Sequence, residues 1–253
     1  MNDLQQRSIE IILAGQFDGA YAACLSFSQY GYCWLRDGTW IAHGMDAAGQ
    51  TQSARAFHRW VGRTLTRYSD KVTHILNLLA AGKQPAESDY LPTRFGLDGS
   101  IGLEDWGDFQ MDGYGTWLWG LAQFVNKHGD DDLWQEARPA TELVINYLAA
   151  LWDSPNYDCW EEHREHIHPA TLAAIYGGMK AVQVFLPELV TPTLLEAMCS
   201  FTLTNGVASD GHFMKYLGNE AVDASLLWIG TPYRLVDIHD VHFLATLAKI
   251  EQD

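Results

Sequence analysis

Two adjacent carboxylates, Glu161 and Glu162, follow Trp160 and stand just ahead of an apolar run that begins at Pro169. Glycoside cleavage needs a protonated carboxyl that donates to the leaving oxygen, and a neighbouring aromatic ring can raise the pKa of such a carboxyl and stack on a sugar. The Trp-Glu-Glu run therefore predicts a general acid beside an aromatic wall. An ordinary acidic helix start, which the helix dipole favours, explains the same three residues about equally well.

Two earlier segments combine aromatic rings with charged groups. Residues 30–37 read Tyr-Gly-Tyr-Cys-Trp-Leu-Arg-Asp, and residues 105–112 read Asp-Trp-Gly-Asp-Phe-Gln-Met-Asp. A guanidinium and a carboxylate, as in Arg36 and Asp37, can grip neighbouring sugar hydroxyls, while rings stack on the C–H faces of the sugar. Taken singly, each segment is also explained by a polar helix cap with a buried Trp.

Helical spacing dominates the elements that must position these groups. Apolar residues recur at three- and four-residue steps after Pro169, which suits a first helical position. Comparable patterns cover 2–14, 36–48, 53–82, 112–127, 139–152, 189–204, 223–230 and 240–251. No useful stretch alternates with period two, although 212–217 could form a short hairpin arm. The sequence predicts an all-α fold of about nine helices in a single domain, residues 1–253.

The aromatic and charged clusters precede every second helix of this pattern. Helices that alternate between an outer and an inner ring have this property, because the N-termini of the inner ring converge and gather their entry loops into one pocket. Polar helix starts alone do not explain the clusters, since a solvated cap does not need the Trp and Tyr residues that these loops carry.

Composition excludes several other classes of protein. The formal net charge is −16 and no basic cluster occurs, so a nucleic-acid partner is not expected. The chain lacks an apolar run of about 18 residues and a basic, apolar leader, so we expect a cytoplasmic protein without a membrane partner. Neither the four cysteines nor the histidine pairs have convincing ligand spacing, and we expect no metal and no cofactor.

Four ordered motifs together resemble the catalytic domain of glycoside hydrolase family 15, the glucoamylase, glucodextranase and isomaltose-hydrolysing group. They are Tyr-x-Tyr-x-Trp-x-Arg-Asp at 30–37, Asp-Trp-Gly-x-Phe-Gln-x-Asp at 105–112, Trp-Glu-Glu at 160–162 and Val-Asp-Ala-Ser-Leu-Leu at 222–227. The resemblance spans nearly the whole chain and about the N-terminal two-thirds of the family's domain. It implies an (α/α)6 toroid barrel of glucoamylase type.

The same resemblance implies a function and a site. The expected reaction is exo-acting, inverting hydrolysis of an α-linked oligosaccharide or glucoside, which releases glucose from the non-reducing end. Glu161 would be the general acid, Glu162 a contact to the neighbouring sugar, and Arg36 with Asp37 the clamp on the terminal glucose. The remaining pocket residues that the resemblance implies are Tyr30, Trp34, Trp106, Gln110 and Trp160.

The chain departs from the family pattern in one respect. Family members carry the base that activates water at the entrance of the last inner helix, and no acid here matches it. Nine helices also cannot close six inner–outer pairs, so the barrel is expected to be incomplete. A fragment of a longer hydrolase and a short form that pairs with a second copy both remain open. In either case 2–14 and 240–251 should expose apolar faces, and we expect self-association through the open barrel edge.

Two further functions are compatible with the same residues. A sugar-binding remnant of the fold would keep the aromatic and arginine contacts without catalysis. A sugar epimerase or isomerase on an (α/α)6 barrel would use histidines, such as His168 and His242, to move protons.

Overall fold

The computed structural model describes residues 3–102 and 106–252. Helices dominate these residues, which confirms the all-α prediction. Nine α-helices lie in the described ranges: α1 Asp3–Ala14, α2 Leu35–Ala47, α3 Thr51–Thr66, α4 Ser69–Ala80, α5 Asp112–His128, α6 Asp131–Leu151, α7 Pro169–Val182, α8 Pro192–Asn205 and α9 Val241–Ile250. Short 3-10 helices lie at Ser28–Tyr30, Glu87–Asp89 and Ala224–Ile229.

Four two-residue strands form two antiparallel pairs. Strand β1 (Gln16–Phe17) pairs with β2 (Ala20–Tyr21), and β3 (Cys33–Trp34) pairs with β4 (Arg94–Phe95). The second pair matters for the site, because it places Trp34 opposite Arg94 across the ladder, directly before α2 begins.

The chain divides into two units, of which the first comprises residues 1–108 and 120–144. Its core is built on α2 and α3, whose Phe57, Trp60 and Met45 side chains are at most 2% exposed. A bidentate ion pair fastens the start of α6 to α3, with Arg55 Nη2 3.0 Å from the Asp130 carboxylate. This packing holds the N-terminus of α2, where the first candidate motif lies.

The second unit comprises residues 109–119 and 145–253. In its centre lies α7, in which every residue from Pro169 to Met179 is buried, whereas α8 buries only Leu195, Met198 and Thr202. A helix buried on all sides packs inside a domain, and a helix with one buried stripe covers it. Helix α7 thus has the burial expected of an inner helix, and α8 that of an outer one.

Backbone contact between α5 and α7 depends on glycine. A methyl group built on Gly178 would lie 2.2 Å from the Gly115 carbonyl oxygen, and one on Gly115 would lie 2.4 Å from the Ala174 oxygen. Neither position has space for a side chain. Gly115 and Gly178 therefore permit the close approach of α5 and α7.

Several predicted boundaries were wrong. The 53–82 pattern is two helices, α3 and α4, separated at residues 67–68. Helix α6 begins at Asp131 rather than at residue 139, and Pro139 lies inside the helix. The 223–230 segment is a 3-10 helix capped by Asp223, and the 212–217 arm forms isolated bridges rather than a hairpin ladder.

Helices α1 and α9 expose apolar side chains, as predicted for both. Leu4 and Ile11 of α1 are 74% and 58% exposed, and Val241 and Leu244 of α9 are 69% and 47% exposed. Self-association through these faces stays a prediction. Among the described helices, none combines the length and the apolar character that crossing a membrane demands.

Candidate active site

Five side chains of the first unit form a group that we call the aromatic cluster: Tyr30, Tyr32, Trp34, Arg94 and Trp106. The Trp34 and Trp106 rings meet edge to face with centroids 5.7 Å apart, and Tyr30 lies 6.0 Å from Trp34 and 6.3 Å from Trp106. Trp34 is 4% exposed and Tyr30 is 45% exposed. The cluster therefore has a buried base and an open rim, as a stacking surface for a sugar requires.

Arg94 is the centre of this cluster, and sequence reasoning missed it. Its guanidinium carbon lies 4.1 Å from the Tyr32 ring centroid and 4.0 Å from that of Trp106, and Nη1 donates to the Gln29 carbonyl oxygen at 2.9 Å. The residue is 2% exposed. Such cation–π contacts are strongest when the cation is desolvated. Arg94 thus fixes the orientation of two rings at once.

The predicted Arg–Asp pair lies in the first turn of α2. Arg36 Nε is 3.5 Å from Asp37 Oδ2, and the two side chains are 14% and 44% exposed. A carboxylate in the first helical turn is favoured by the helix dipole. Both side chains are partly exposed within the first unit.

The second unit carries Glu161 on a loop of residues 156–168, which we call the carboxylate loop. Asp158 organises its turn: Oδ1 accepts hydrogen bonds from the backbone N–H groups of Trp160 and Glu162, both at 2.9 Å. Asp158 is 4% exposed. The turn is closed by two backbone bonds, from Glu161 N to Asp158 O at 3.0 Å and from Asp158 N to Glu162 O at 3.1 Å.

Glu161 adopts a left-handed backbone conformation, with φ of 66°. Non-glycine residues in this region cost about 1–3 kcal/mol, persist only where their surroundings hold them, and cluster at active sites. The Asp158 bonds on either side of Glu161 supply that constraint. The Glu161 side chain is half-buried, whereas Trp160 is 54% exposed and Glu162 is an exposed side chain.

Gln110 belongs to a buried segment that is joined to the carboxylate loop. Gln110 is 1% exposed, and the Phe109 carbonyl next to it accepts a hydrogen bond from Tyr157 N at 2.9 Å. Phe109, within the predicted 105–112 motif, is therefore joined to the carboxylate loop by a backbone hydrogen bond. Asp105, the first residue of the 105–112 motif, lies outside the described residues.

The side chains of Lys215 and Tyr216 contact the carboxylate loop. Lys215 Nζ lies 3.2 Å from Glu162 and 3.4 Å from Asp223, and the Tyr216 ring stacks on His166 with centroids 4.1 Å apart. Burial lowers the pKa of His168, which favours the neutral ring. Nowhere in 3–102 or 106–252 do three or more His, Cys, Asp or Glu side chains meet in a way that could hold a metal ion.

The structure groups the predicted residues within each unit. Tyr30, Trp34 and Trp106 meet in the first unit, and the Glu161 turn is joined to the Gln110 segment in the second. The Trp160 ring is 54% exposed, and its place in the wall of a pocket stays a prediction. Sequence reasoning missed Arg94 and Asp158, although an Asp two residues before Trp160 is a recognisable turn signal.

Comparison with known proteins gives consistent matches. The family model described as "Glycosyl hydrolases family 15" matches residues 2–253. An isomaltose glucohydrolase of Kribbella flavida is 40% identical over 262 residues, covering 100% of this chain and 67% of that protein. Trehalase 2 of Sulfolobus acidocaldarius is 24% identical, covering 88% of this chain and 41% of its own length. The chain thus spans about two thirds of the first relative and less than half of the second.

Solved structures agree with these matches. A wild-type glycosidase superimposes with a TM-score of 0.92 at 39% identity, covering 99% of this chain and 69% of that one. A bacterial glucoamylase complexed with acarbose gives a TM-score of 0.77 at 16% identity, covering 99% of this chain and 40% of that one. The second likeness concerns the fold alone, and it confirms the predicted (α/α) fold of glucoamylase type.

Proposed function

The chain belongs to glycosyl hydrolases family 15, and on that premise we propose that it cleaves α-glucosidic bonds from the non-reducing end, with inversion, using Glu161 as the general acid. The resemblance read from the four motifs is confirmed at the level of the family. One observation carries the assignment of the acid: Glu161 is held in a left-handed conformation, between two backbone N–H groups that bind Asp158.

The geometry of the turn supports this role. A general acid must be presented at a fixed point, because proton transfer requires hydrogen-bond distance to the leaving oxygen. The half-buried Glu161 is fixed through its backbone by Asp158, while Glu162, next to it, is exposed and forms an ion pair with Lys215. The two neighbouring carboxylates thus differ in exposure, which allows separate roles: proton donation for Glu161 and binding of the leaving sugar for Glu162.

The first unit supplies the groups that we assign to binding of the terminal glucose. Arg36 and Asp37 offer donors and acceptors for its hydroxyls, and Tyr30, Trp34 and Trp106 offer rings for its C–H faces. The Trp106 indole nitrogen is buried without a hydrogen-bond partner among the described residues. A buried N–H of this kind is costly unless a ligand accepts from it.

Isomaltose is the substrate that we propose to test first. The relative that is 40% identical is an isomaltose glucohydrolase, and an α-1,6-linked glucose disaccharide presents the same terminal ring as maltose. We assign the water-activating base to no residue of this chain, so the turnover of the chain is itself a result to measure.

The test compares Glu161→Gln with the wild type on isomaltose and maltose. We expect glucose release to fall by at least about 100-fold, because a general acid contributes about 10²–10⁴-fold, while calorimetric sugar binding is retained. Inversion predicts that the first-formed glucose is the β-anomer, which proton NMR detects. The matched control is Glu165→Gln, an exposed carboxylate of the same loop beside His166. Wild-type turnover by Glu161→Gln would remove Glu161 from the mechanism.

Sugar binding without catalysis is the second candidate function. All five side chains of the aromatic cluster lie within the first unit. A preformed stacking surface of this kind favours sugar binding over a sugar epimerase or isomerase. If the protein only binds sugars, glucose raises the melting temperature and no product forms. An epimerase or isomerase has less support, because His168 and His242 are engaged with the backbone carbonyls of His163 and Gly211, at 3.1 Å and 2.8 Å.

A further inference from the structure

Lys215 links two carboxylates of the second unit. Its Nζ lies 3.2 Å from Glu162 Oε2 and 3.4 Å from Asp223 Oδ2, and its side chain is 18% exposed. The backbone of Lys215 is fixed as well, since its N–H donates to the Ala221 carbonyl at 2.8 Å. The lysine therefore emerges from a closed turn toward the carboxylate loop.

Asp223 anchors this arrangement. Its Oδ1 caps the 3-10 helix Ala224–Ile229 by accepting from Ser225 N at 2.8 Å, and its side chain is 22% exposed. An ion pair between two long, solvated side chains contributes little, because both must be ordered. Here the acidic partner is already ordered by the helix that it caps. Asp223 thus restricts the position of the Lys215 ammonium, and the ammonium in turn restricts the position of the Glu162 carboxylate.

Glu162 is the most exposed of the three linked charged residues, Asp223, Lys215 and Glu162. Its side chain is 56% exposed, yet its backbone N–H is held by Asp158 and its carboxylate by Lys215. Burial alone would lower the pKa of Lys215, but the hydrogen bond to Glu162 and the nearby Asp223 and Asp158 carboxylates raise it overall. The ammonium is therefore charged over the working pH range, and Glu162 presents its carboxylate to solvent in a fixed position.

From this geometry we infer that Lys215 is a positioning residue that holds Glu162 for the hydroxyls of the leaving sugar, and that it thereby sets the selectivity between sugar and non-sugar leaving groups. The inference rests on the proposed function. An ordered carboxylate binds a hydroxyl without first losing side-chain freedom, which is the advantage of preorganisation. A leaving group without hydroxyls gains nothing from it.

The experiment compares two substrates that share the glucosyl part. We expect Lys215→Met to lower kcat/KM for isomaltose by about tenfold, the size of one charge-assisted hydrogen bond, and to change kcat/KM for 4-nitrophenyl α-glucopyranoside by less than about twofold. Lys215→Arg, which keeps the charge, should recover part of the isomaltose activity. The matched control is Lys249→Met, which removes the ion pair to Asp210 in the same unit and should change neither substrate.

Each outcome decides the matter. An equal loss on both substrates, or no loss on either, overturns the role of Lys215 and leaves the proposed function intact. If the wild type binds sugars without cleaving them, the same contrast is measured as the Kd for isomaltose against the Kd for glucose. If the wild type neither cleaves nor binds either sugar, the proposed function fails and this inference fails with it.

Discussion

The aromatic cluster and the carboxylate loop are held in place by different interactions. In the cluster, rings pack around the buried guanidinium of Arg94, and the order comes from shape and stacking. In the loop, one buried carboxylate, Asp158, orders the turn by accepting two backbone hydrogen bonds, and Glu161 is held in a left-handed conformation. The cluster is therefore held by the packing of side chains, and the loop by hydrogen bonds from its own backbone.

The largest expected effect tests the packing side of this comparison. Arg94→Met removes the cation between Tyr32 and Trp106, and we expect the free energy of unfolding to fall by about 2 kcal/mol, because two desolvated cation–π contacts are lost. Denaturant titration measures the change, and tryptophan fluorescence should shift as the indoles become mobile. Arg138→Met, which breaks an exposed helical pair with Glu142, is the control and should cost less than about 0.5 kcal/mol.

A smaller effect tests the hydrogen-bonding side. Asp158→Ala leaves the N–H groups of Trp160 and Glu162 without their acceptor, and we expect about 1–2 kcal/mol of destabilisation, as for loss of a helix cap. Glucose release should fall as well, since Glu161 loses its constraint. Asp158→Asn keeps the acceptor oxygen and should retain most of both properties. Equal behaviour of the Ala and Asn variants would contradict the role given to this carboxylate.

The third prediction concerns a slope of stability with pH rather than a single change in stability, and it involves a buried group of the first unit. Burial lowers the pKa of His58 to about 3, against a partly opposing effect of Asp46. Since the unfolded histidine binds a proton near pH 6.5, stability is complete above that pH and falls toward pH 3, by at most about 1.4 kcal/mol per pH unit. His58→Leu should flatten this slope in urea titrations between pH 6.5 and 4, whereas His239→Leu, on the surface, should not. An unchanged slope in His58→Leu would refute the assignment.

Sequence patterns located α7 and α9 well. Helix α7 begins at Pro169, which suits a first helical position, and α9 lies within the predicted 240–251, where Asp240 caps its N-terminus. The pattern over 53–82 contained no sign of the break at residues 67–68, where no Gly or Pro occurs. The capped 3-10 helix at Ala224–Ile229 has too few residues for a 3.6-residue period to be told from a 3-residue one.

Residues of the candidate site could be predicted only where they belong to a recognisable sequence motif. Trp106 and Glu161 stand in recognisable runs, but Arg94 lies on a two-residue strand whose neighbours show no periodicity. Its position opposite Trp34 follows from pairing across about sixty residues of chain, which local patterns do not encode. Local patterns likewise do not place Lys215 near Glu162, although its Nζ lies 3.2 Å from that carboxylate in the structure.

The glycine contact between α5 and α7 has a consequence for how the second unit can deform. Because the two backbones are in direct contact, the helices cannot slide or rotate past one another without a steric clash. The crossing of α5 and α7 is therefore rigid. Both helices start immediately after segments that carry candidate residues, Gln110 before one and the carboxylate loop before the other. Thermal motion in this unit should therefore move those two segments together rather than independently.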